Sequence, residues 1–290
     1  MLRFFKKTLE SIGIDARNMY ERLCGYSIKF ALKQNGYTEM LERLRTIVPD
    51  ISDQESSEAS TFNNYWELKR RALQVFQCRM MLKTLKGLQQ DSLVVIDIGD
   101  SAGTHMLYLK ELTKDKFSLD TISVNLDPRA IEKIEARGMK AIRCRAEEID
   151  VEGRNIDLFT SFQMVEHLHN PALFFRRLAK KSSCSRMVIT VPYLKRSRVG
   201  LHHARHGAVR PFFAEDEHIF ELCPEDWILL LLHAGWKVVY NEIYYQYPRR
   251  LPLVSPFLSW FWRNTDFEGF WGAILMKDTE FSDLYLDWEE

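Results

Sequence analysis

The stretch "FQMVEHLHNP", residues 162–171, sets a carboxylic acid directly before a histidine, with an amide three residues before the acid. Imidazole changes charge near neutral pH, so His167 is of the right type to take a proton from a hydroxyl. A neighbouring carboxylate can stabilise the cation that results. On a helical turn Gln163, Glu166 and His167 stand at i, i+3 and i+4 and face one side. The competing reading is structural: Glu166 complements the dipole of a first helical turn, and His167 packs beneath a loop.

A second candidate is "VVIDIGDSAGTH", residues 94–105. It combines an acid, Asp97, with Gly99 and Gly103 and a helix expected to begin near Ala102. Glycine permits positive φ angles and lets a ligand approach the backbone closely. The segment is not the G-x-G-x-x-G dinucleotide fingerprint, and Ser101 stands where a further glycine is expected. Taken alone, it is a glycine turn of the ordinary kind.

Two stretches bear on partners. "LKRSRVGLHHARHGAVRPFF" carries Lys195, Arg196, Arg198, Arg205 and Arg210, with His202, His203 and His206, and no acid. It is either a solvated surface loop or a contact for an anionic acceptor: a phosphorylated sugar, a nucleotide-linked glycan or a nucleic-acid backbone. The acidic "AEDE" at 214–217 limits how far a basic track could run. The aromatic, proline-containing stretch 247–271 reads mainly as core or dimer surface. Stacking on sugars, or contact with a lipid tail or membrane surface, is the lesser reading.

These residues need a scaffold. The 290 residues suit one large domain or a domain with an appendage. Forty basic and forty acidic side chains cancel, so no global field points to nucleic acid or membrane. Five scattered cysteines with no C-x-x-C pair argue against a disulfide framework or a cysteine zinc site. No secretory signal or membrane-spanning run is evident, and the expected compartment is the cytoplasm.

Apolar residues recur every three to four positions in "MYERLCGYSIKFALKQNGYTEMLERLRTIV" and "YWELKRRALQVFQCRMMLKTLKGL", predicting helices over the first ~90 residues. The polar, Ser-rich "PDISDQESSEASTFNN" between them reads as a linker or mobile loop. From residue 92 the pattern changes to short apolar runs: 93–98, 121–126, 140–144, 156–162 and 186–191. They read as buried strands alternating with helices, hence a parallel sheet covered on both faces. The runs "WKVVYNEIYY" and "WGAILMK" complete it. In such sheets ligands bind at the carboxyl ends of the strands.

In this order the segments resemble the class I S-adenosylmethionine-dependent methyltransferases. "VVIDIGDSAGTH" is similar to their motif I, "SVNLDPRAIEKI" to the ribose-holding second strand, and "CRAEEID" to the segment framing adenine. "NIDLFTSFQMVEHLHNP", "MVITVPY" and "HIFELCPEDWILLLLHAGWKVV" resemble the fourth strand, the fifth, and the closing helix with the sixth. The resemblance covers residues 70–277. It implies an α/β, Rossmann-like seven-stranded methyltransferase sheet with helices on both faces. A helical N-terminal extension (1–65) would precede the methyltransferase domain (66–290).

It further implies S-adenosylmethionine as cofactor, bound by Asp97, Gly99, Asp100, Ser101, Ala102, Gly103, Asn125, Leu126, Asp127, Ala146, Glu147 and Phe162. Asn125 departs from the family's usual acid, and Arg145 stands where many members carry an aspartate. The post-strand stretch is similar to the E-x-x-E-H metal motif of ubiquinone-biosynthesis O-methyltransferases and small-RNA 2′-O-methyltransferases, the latter adding a later histidine. By that resemblance Glu166, His167 and His218 are catalytic. Gln163, standing in place of a glutamate, would join them around Mg²⁺ or Mn²⁺. The basic loop would then roof the acceptor pocket, as the corresponding connection does in the family. The implied activity is O-methylation of a hydroxyl on a glycan or other anionic small molecule. RNA 2′-hydroxyl methylation and non-catalytic cofactor binding are the alternatives, and oligomeric state is open.

Overall fold

The computed structural model describes residues 15–52, 62–88, 90–207, 211 and 216–286. Three helices come first: α1 (Ala16–Gln34), α2 (Thr38–Ile47) and α3 (Asn64–Leu85). Periodicity alone ran α1 and α2 together. The structure parts them at Asn35 and Gly36, whose φ of +68° is a left-handed helix stop. Asp15 and Asn63 cap α1 and α3 by accepting two backbone N–H groups each. Residues 1–14 and most of the Ser-rich linker lie outside the described residues.

Five strands then alternate with helices: β1 (Ser92–Ile98), α4 (Thr104–Thr113), β2 (Ser118–Asn125), α5 (Pro128–Ala136), β3 (Lys140–Arg143), β4 (Leu158–Phe162), α6 (Pro171–Lys181) and β5 (Arg186–Pro192). A two-stranded ribbon of β6 (Arg198–Val199) and β7 (Phe220–Glu221) brackets a one-turn helix, α7 (His202–Arg205). The chain closes with α8 (Pro224–His233), β8 (Trp236–Tyr245), α9 (Ser255–Thr265) and β9 (Gly269–Lys277). Proline at the start of α5, α6 and α8, with glycine past the ends of α5 and α8, fits the helix-end rules read from the sequence.

The seven-stranded sheet has the order β3-β2-β1-β4-β5-β9-β8. It is mixed: β1 to β5 pair in parallel, as read from the sequence, and β9 runs antiparallel to both β5 and β8. The reason lies in the connection. Tyr245 pairs with Gly269, so the chain leaves β8 and re-enters β9 at the same sheet edge and must run back.

Side chains alternate between two cores. Leu93, Val95, Leu158 and Val188 join α1, α2, α3 and α4 on one face. Ile96, Ile98, Phe159, Met187 and Ile189 join α6 and α8 on the other. Arg71, fully buried on α3, donates to the carbonyls of Leu44, Val48 and Pro49 and to Tyr108, and pairs with Glu67. It therefore ties the end of α2 to α3 and α4 and leaves no orphan charge in the core. Strand order reverses between β1 and β4, so the crevice for a ligand lies above their carboxyl ends.

Candidate active site

β1 delivers Asp97 and Gly99 to that crevice. Gly99 has φ +94° and donates its N–H to the Val124 carbonyl at 2.8 Å. A Cβ there would lie 2.5 Å from Cγ of Met164, so the position tolerates glycine alone without a shift. Asp100 organises the turn. Its Oδ1 accepts from the N–H groups of Ala102 and Gly103 at 3.2 and 2.8 Å, and its Oδ2 from the Ser123 hydroxyl at 2.7 Å. The helix begins at Thr104, two residues later than expected, because Gly103 at φ +74° is its N-cap. Ala102 and Gly103 shape the loop from beneath, whereas Asp97, Gly99, Asp100 and Ser101 line the cavity.

Asp97 is buried between Ser123 and Thr160 of the flanking strands. Thr160 donates to its Oδ1 at 2.7 Å, while Oδ2 has no hydrogen-bond partner among the described residues. Burial pushes this carboxyl well up, Asp100 adds to the effect, and Thr160 opposes it. His105 stands 3.8 Å from Oδ2 with its ring against Phe162. Its Nε2 meets the Gln77 amide oxygen at 2.8 Å, and the Gln77 amide nitrogen donates to Thr190. Since that oxygen can only accept, Nε2 carries the proton. Burial lowers the ring to about 4, with Asp100 opposing, so the imidazole is neutral at pH 7.

Asn125 is spent on the loop. Its amide nitrogen donates to the Asp100 carbonyl at 2.9 Å, and its amide oxygen accepts the Asp127 N–H at 2.8 Å. Asp127 caps α5 and pairs with Arg129. Burial would raise its carboxyl, but the bonds to Arg129 outweigh this and hold it below the ordinary value. Arg145 lies 3.9 Å from Glu147, next to Ala146 on a short 3₁₀ turn. Asn125, Leu126, Asp127, Ala146, Glu147 and Phe162 line one cavity of about 770 Å³ with the β1 loop. Arg70, Gln74 and Gln77 of α3 close it from a side that motif reading left out, as it did His105. Only the polar residues within the periodicity of α3 could have signalled this.

The acid–histidine stretch folds differently from the helical turn expected of it. Gln163 has φ +53° and donates its N–H to the Thr190 carbonyl and its side-chain amide to the Thr190 hydroxyl at 3.1 Å. Only Val165–His167 form a turn, of 3₁₀ type, so the i, i+3, i+4 face does not exist. Glu166, His167 and His218 come together all the same, with one potential ligand atom of each within 4.8 Å of the others. The Ile219 N–H donates to the Glu166 carbonyl at 2.8 Å and fastens the β7 segment to the turn.

Each ring is oriented from behind. His167 Nδ1 lies 2.9 Å from the Glu217 carbonyl, which can only accept, so Nδ1 carries the proton and Nε2 the lone pair. His218 Nδ1 lies 3.3 Å from Glu221, and its ring packs on His167 and Phe267. Burial would lower His218, but Glu221, Glu166 and Glu217 together raise it. Glu166 is 1% exposed, and neither carboxylate oxygen has a hydrogen-bond partner among the described residues. Burial lifts it to about 7, with His218 pulling down. Of the three, His167 lines the cavity; Glu166 and His218 stand behind it.

Part of the basic loop is paired with acids. Arg198 pairs with Glu221, Lys195 lies 3.9 Å from Glu268, and His203 is 2.6 Å from Glu217. Arg205 donates to the carbonyls of Gly200 and Val199. Asp216 lines the cavity from the acidic stretch, and Arg210 lies outside the described residues. Among the described residues of this loop, none from 195 to 206 lines the cavity.

A family model described as a methyltransferase domain matches residues 65–241. No curated protein sequence matches the chain. Solved structures share the fold. The geranyl diphosphate C-methyltransferase of Streptomyces coelicolor A3(2), in complex with Mg²⁺, geranyl diphosphate and S-adenosyl-L-homocysteine, aligns with a TM-score of 0.54 at 10% identity. That alignment covers 79% of this chain and 89% of the other. Phosphoethanolamine N-methyltransferase 2 of Haemonchus contortus, in complex with S-adenosyl-L-methionine, aligns at 0.50 and 13% identity, covering 70% and 52%.

Proposed function

The chain belongs to the methyltransferase-domain family, and we propose that it transfers a methyl group from S-adenosylmethionine to a hydroxyl oxygen. S-adenosylmethionine carries the methyl on a sulfonium, from which it leaves by direct displacement. Residues 66–290 would form the catalytic domain and 1–65 the helical extension. The cavity residues suit the cofactor. Gly99 brings its backbone to the cavity wall with Met164 packed where a Cβ would lie, Leu126 and Phe162 offer apolar walls, and Ala146 and Glu147 frame the adenine end. Asp127 stands beside the ribose position, and the unpartnered Oδ2 of Asp97 is left for the amino-acid end.

The observation that carries O-methylation is the orientation of His167. Its Nδ1 is held by a backbone carbonyl, which makes Nε2 the basic nitrogen of a residue that lines the cavity. Direct displacement needs mainly alignment of donor and acceptor, but a hydroxyl acceptor must also lose its proton. His167 accepts that proton; Glu166, when ionised, stabilises the imidazolium from behind, and the His218 ring packs against it. Glu166 is thus a positioning residue and His167 the catalytic base. Lys195, Arg198 and His203 face Glu268, Glu221 and Glu217, and none of the described residues 195–206 lines the cavity, so the acceptor is defined by its hydroxyl rather than by a basic track. RNA loses its main support on the same ground.

A divalent ion at Glu166, His167 and His218 is the second reading, favoured by the two buried, unpartnered oxygens of Glu166. One carboxylate and two imidazoles suit Mn²⁺ better than Mg²⁺, which prefers oxygen ligands. Such an ion would lower the pKa of a coordinated hydroxyl. The test is methyl transfer from isotopically labelled S-adenosylmethionine to a panel of hydroxyl acceptors, with and without Mn²⁺. The proposal expects turnover that His167→Ala reduces by about 10²–10⁴-fold, with S-adenosylhomocysteine affinity unchanged. Cofactor binding with no turnover on any acceptor would favour a non-catalytic sensor.

A further inference from the structure

The helices α1 and α9 lie side by side. The Trp262 indole donates to the Ser27 hydroxyl at 3.0 Å, and Tyr20 packs on Phe261. Their buried sides join the core, yet each leaves large apolar side chains in solvent. On α1, Leu23, Tyr26 and Phe30 stand at i, i+3 and i+7, one stripe along the helix, each more than half exposed. On and just before α9, Leu251, Leu253, Val254, Phe257 and Trp260 are exposed, Leu253 at 93%. Soluble surfaces rarely group so many large apolar side chains without a partner.

Among the described residues of these two elements, the exposed charge beside the apolar side chains is of one sign. Arg22, Lys29 and Lys33 are exposed along one flank of the α1 stripe, and no acid is among the exposed residues of that helix. Arg249 and Arg250 are exposed where the chain enters the α9 segment, again with no exposed acid from 249 to 257. A second copy docking through the same patch would bring these cations against their own counterparts. A surface with apolar depth and negative charge at its rim is the complement. Tryptophan and tyrosine, each apolar with one polar tip, suit that boundary. No described helix is long and apolar enough to cross a membrane, so the contact would lie in the interface plane.

We propose that the α1–α9 face docks on the surface of an anionic phospholipid bilayer, Leu253, Phe257 and Trp260 entering the acyl boundary and the flanking cations meeting lipid phosphates. The docked face is close in sequence to the catalytic cluster: Phe267, two residues past α9, stacks its ring on His218. Docking and catalysis are separable, since none of the docking residues lines the cavity.

The test is co-sedimentation of the full chain with phosphatidylcholine vesicles, with and without phosphatidylglycerol. Wild type is expected to pellet with the anionic vesicles and far less with the neutral ones, and high salt is expected to release it. The double variant Leu253→Asp/Trp260→Asp is expected to bind about tenfold more weakly, as is Arg22→Glu/Lys29→Glu, with thermal melting unchanged because all four sites are exposed. Quenching of wild-type tryptophan fluorescence by brominated anionic lipid, reduced in Trp260→Tyr, gives a readout independent of the charged variants. Wild type remaining in the supernatant, or both double variants pelleting like wild type, would overturn the proposal. So would a concentration-dependent dimer in light scattering that Leu253→Asp dissolves.

Discussion

Replacing Glu166 by glutamine should make the protein more stable at alkaline pH, although it removes a group placed at the heart of the site. The side chain is 1% exposed, and burial lifts its carboxyl from the ordinary 4.5 to about 7. Between those values the folded chain holds a proton that the unfolded chain has lost, so stability falls as pH rises through that window. At about 1.4 kcal/mol per pH unit, the loss approaches about 3 kcal/mol above pH 7. Glutamine mimics the protonated acid and does not titrate. Wild type and variant should therefore have similar stability near pH 4.5, where glutamate is still protonated in the folded chain and only half ionised in the unfolded one. By pH 8 the variant should lead by about 2–3 kcal/mol, the groups other than His218, which Glu166 helps to raise, largely cancelling in the difference. Urea unfolding of both proteins across that range measures it directly, with the slope of the transition checking that the unfolded state is unchanged. Parallel stability curves, or a variant that weakens with rising pH, would refute the assignment of a desolvated carboxyl. Mn²⁺ at pH 8 gives a second arm: if the cluster binds it, the wild-type midpoint rises and that of Glu166→Gln rises less.

Other consequences follow from particular contacts. Gly99→Ala places a Cβ 2.5 Å from Met164 at a φ of +94°; left-handed strain and overpacking together should cost about 2–4 kcal/mol in urea unfolding. Adding Met164→Ala should recover only the steric part. Asn125→Asp restores the acid usual in the family, yet it loses the amide donor to the Asp100 carbonyl. It should weaken S-adenosylhomocysteine binding by about 1–3 kcal/mol in calorimetry. Arg71→Met strands the carbonyls of Leu44, Val48 and Pro49, while Glu67 keeps Arg45 as its partner, and should cost about 3–5 kcal/mol of stability.

The strands were legible because burial on both faces makes them continuous apolar runs, and helix ends because proline and glycine act locally. The direction of β9 was not, since it depends on where the 245–269 connection re-enters the sheet, which no local pattern encodes. At the site, Glu166, His167 and His218 could be picked out by type and order, and the fold does bring them together. The geometry of Gln163 could not, because its left-handed backbone is held by Thr190 of a neighbouring strand. The use of Asn125 as a loop clamp, the neutral His105 under Gln77, and the pairing of the basic loop are likewise long-range contacts. Charge read along a sequence says nothing of which acids fold back against it.

The central claim is that the β1 loop holds the methyl donor while His167 serves the acceptor. Calorimetric titration of S-adenosylhomocysteine into wild type, Gly99→Ala and His167→Ala tests it most directly. Saturable binding at one site is expected, weakened severely by Gly99→Ala and left intact by His167→Ala. Absence of binding to the folded wild type, or binding indifferent to Gly99→Ala, would contradict it.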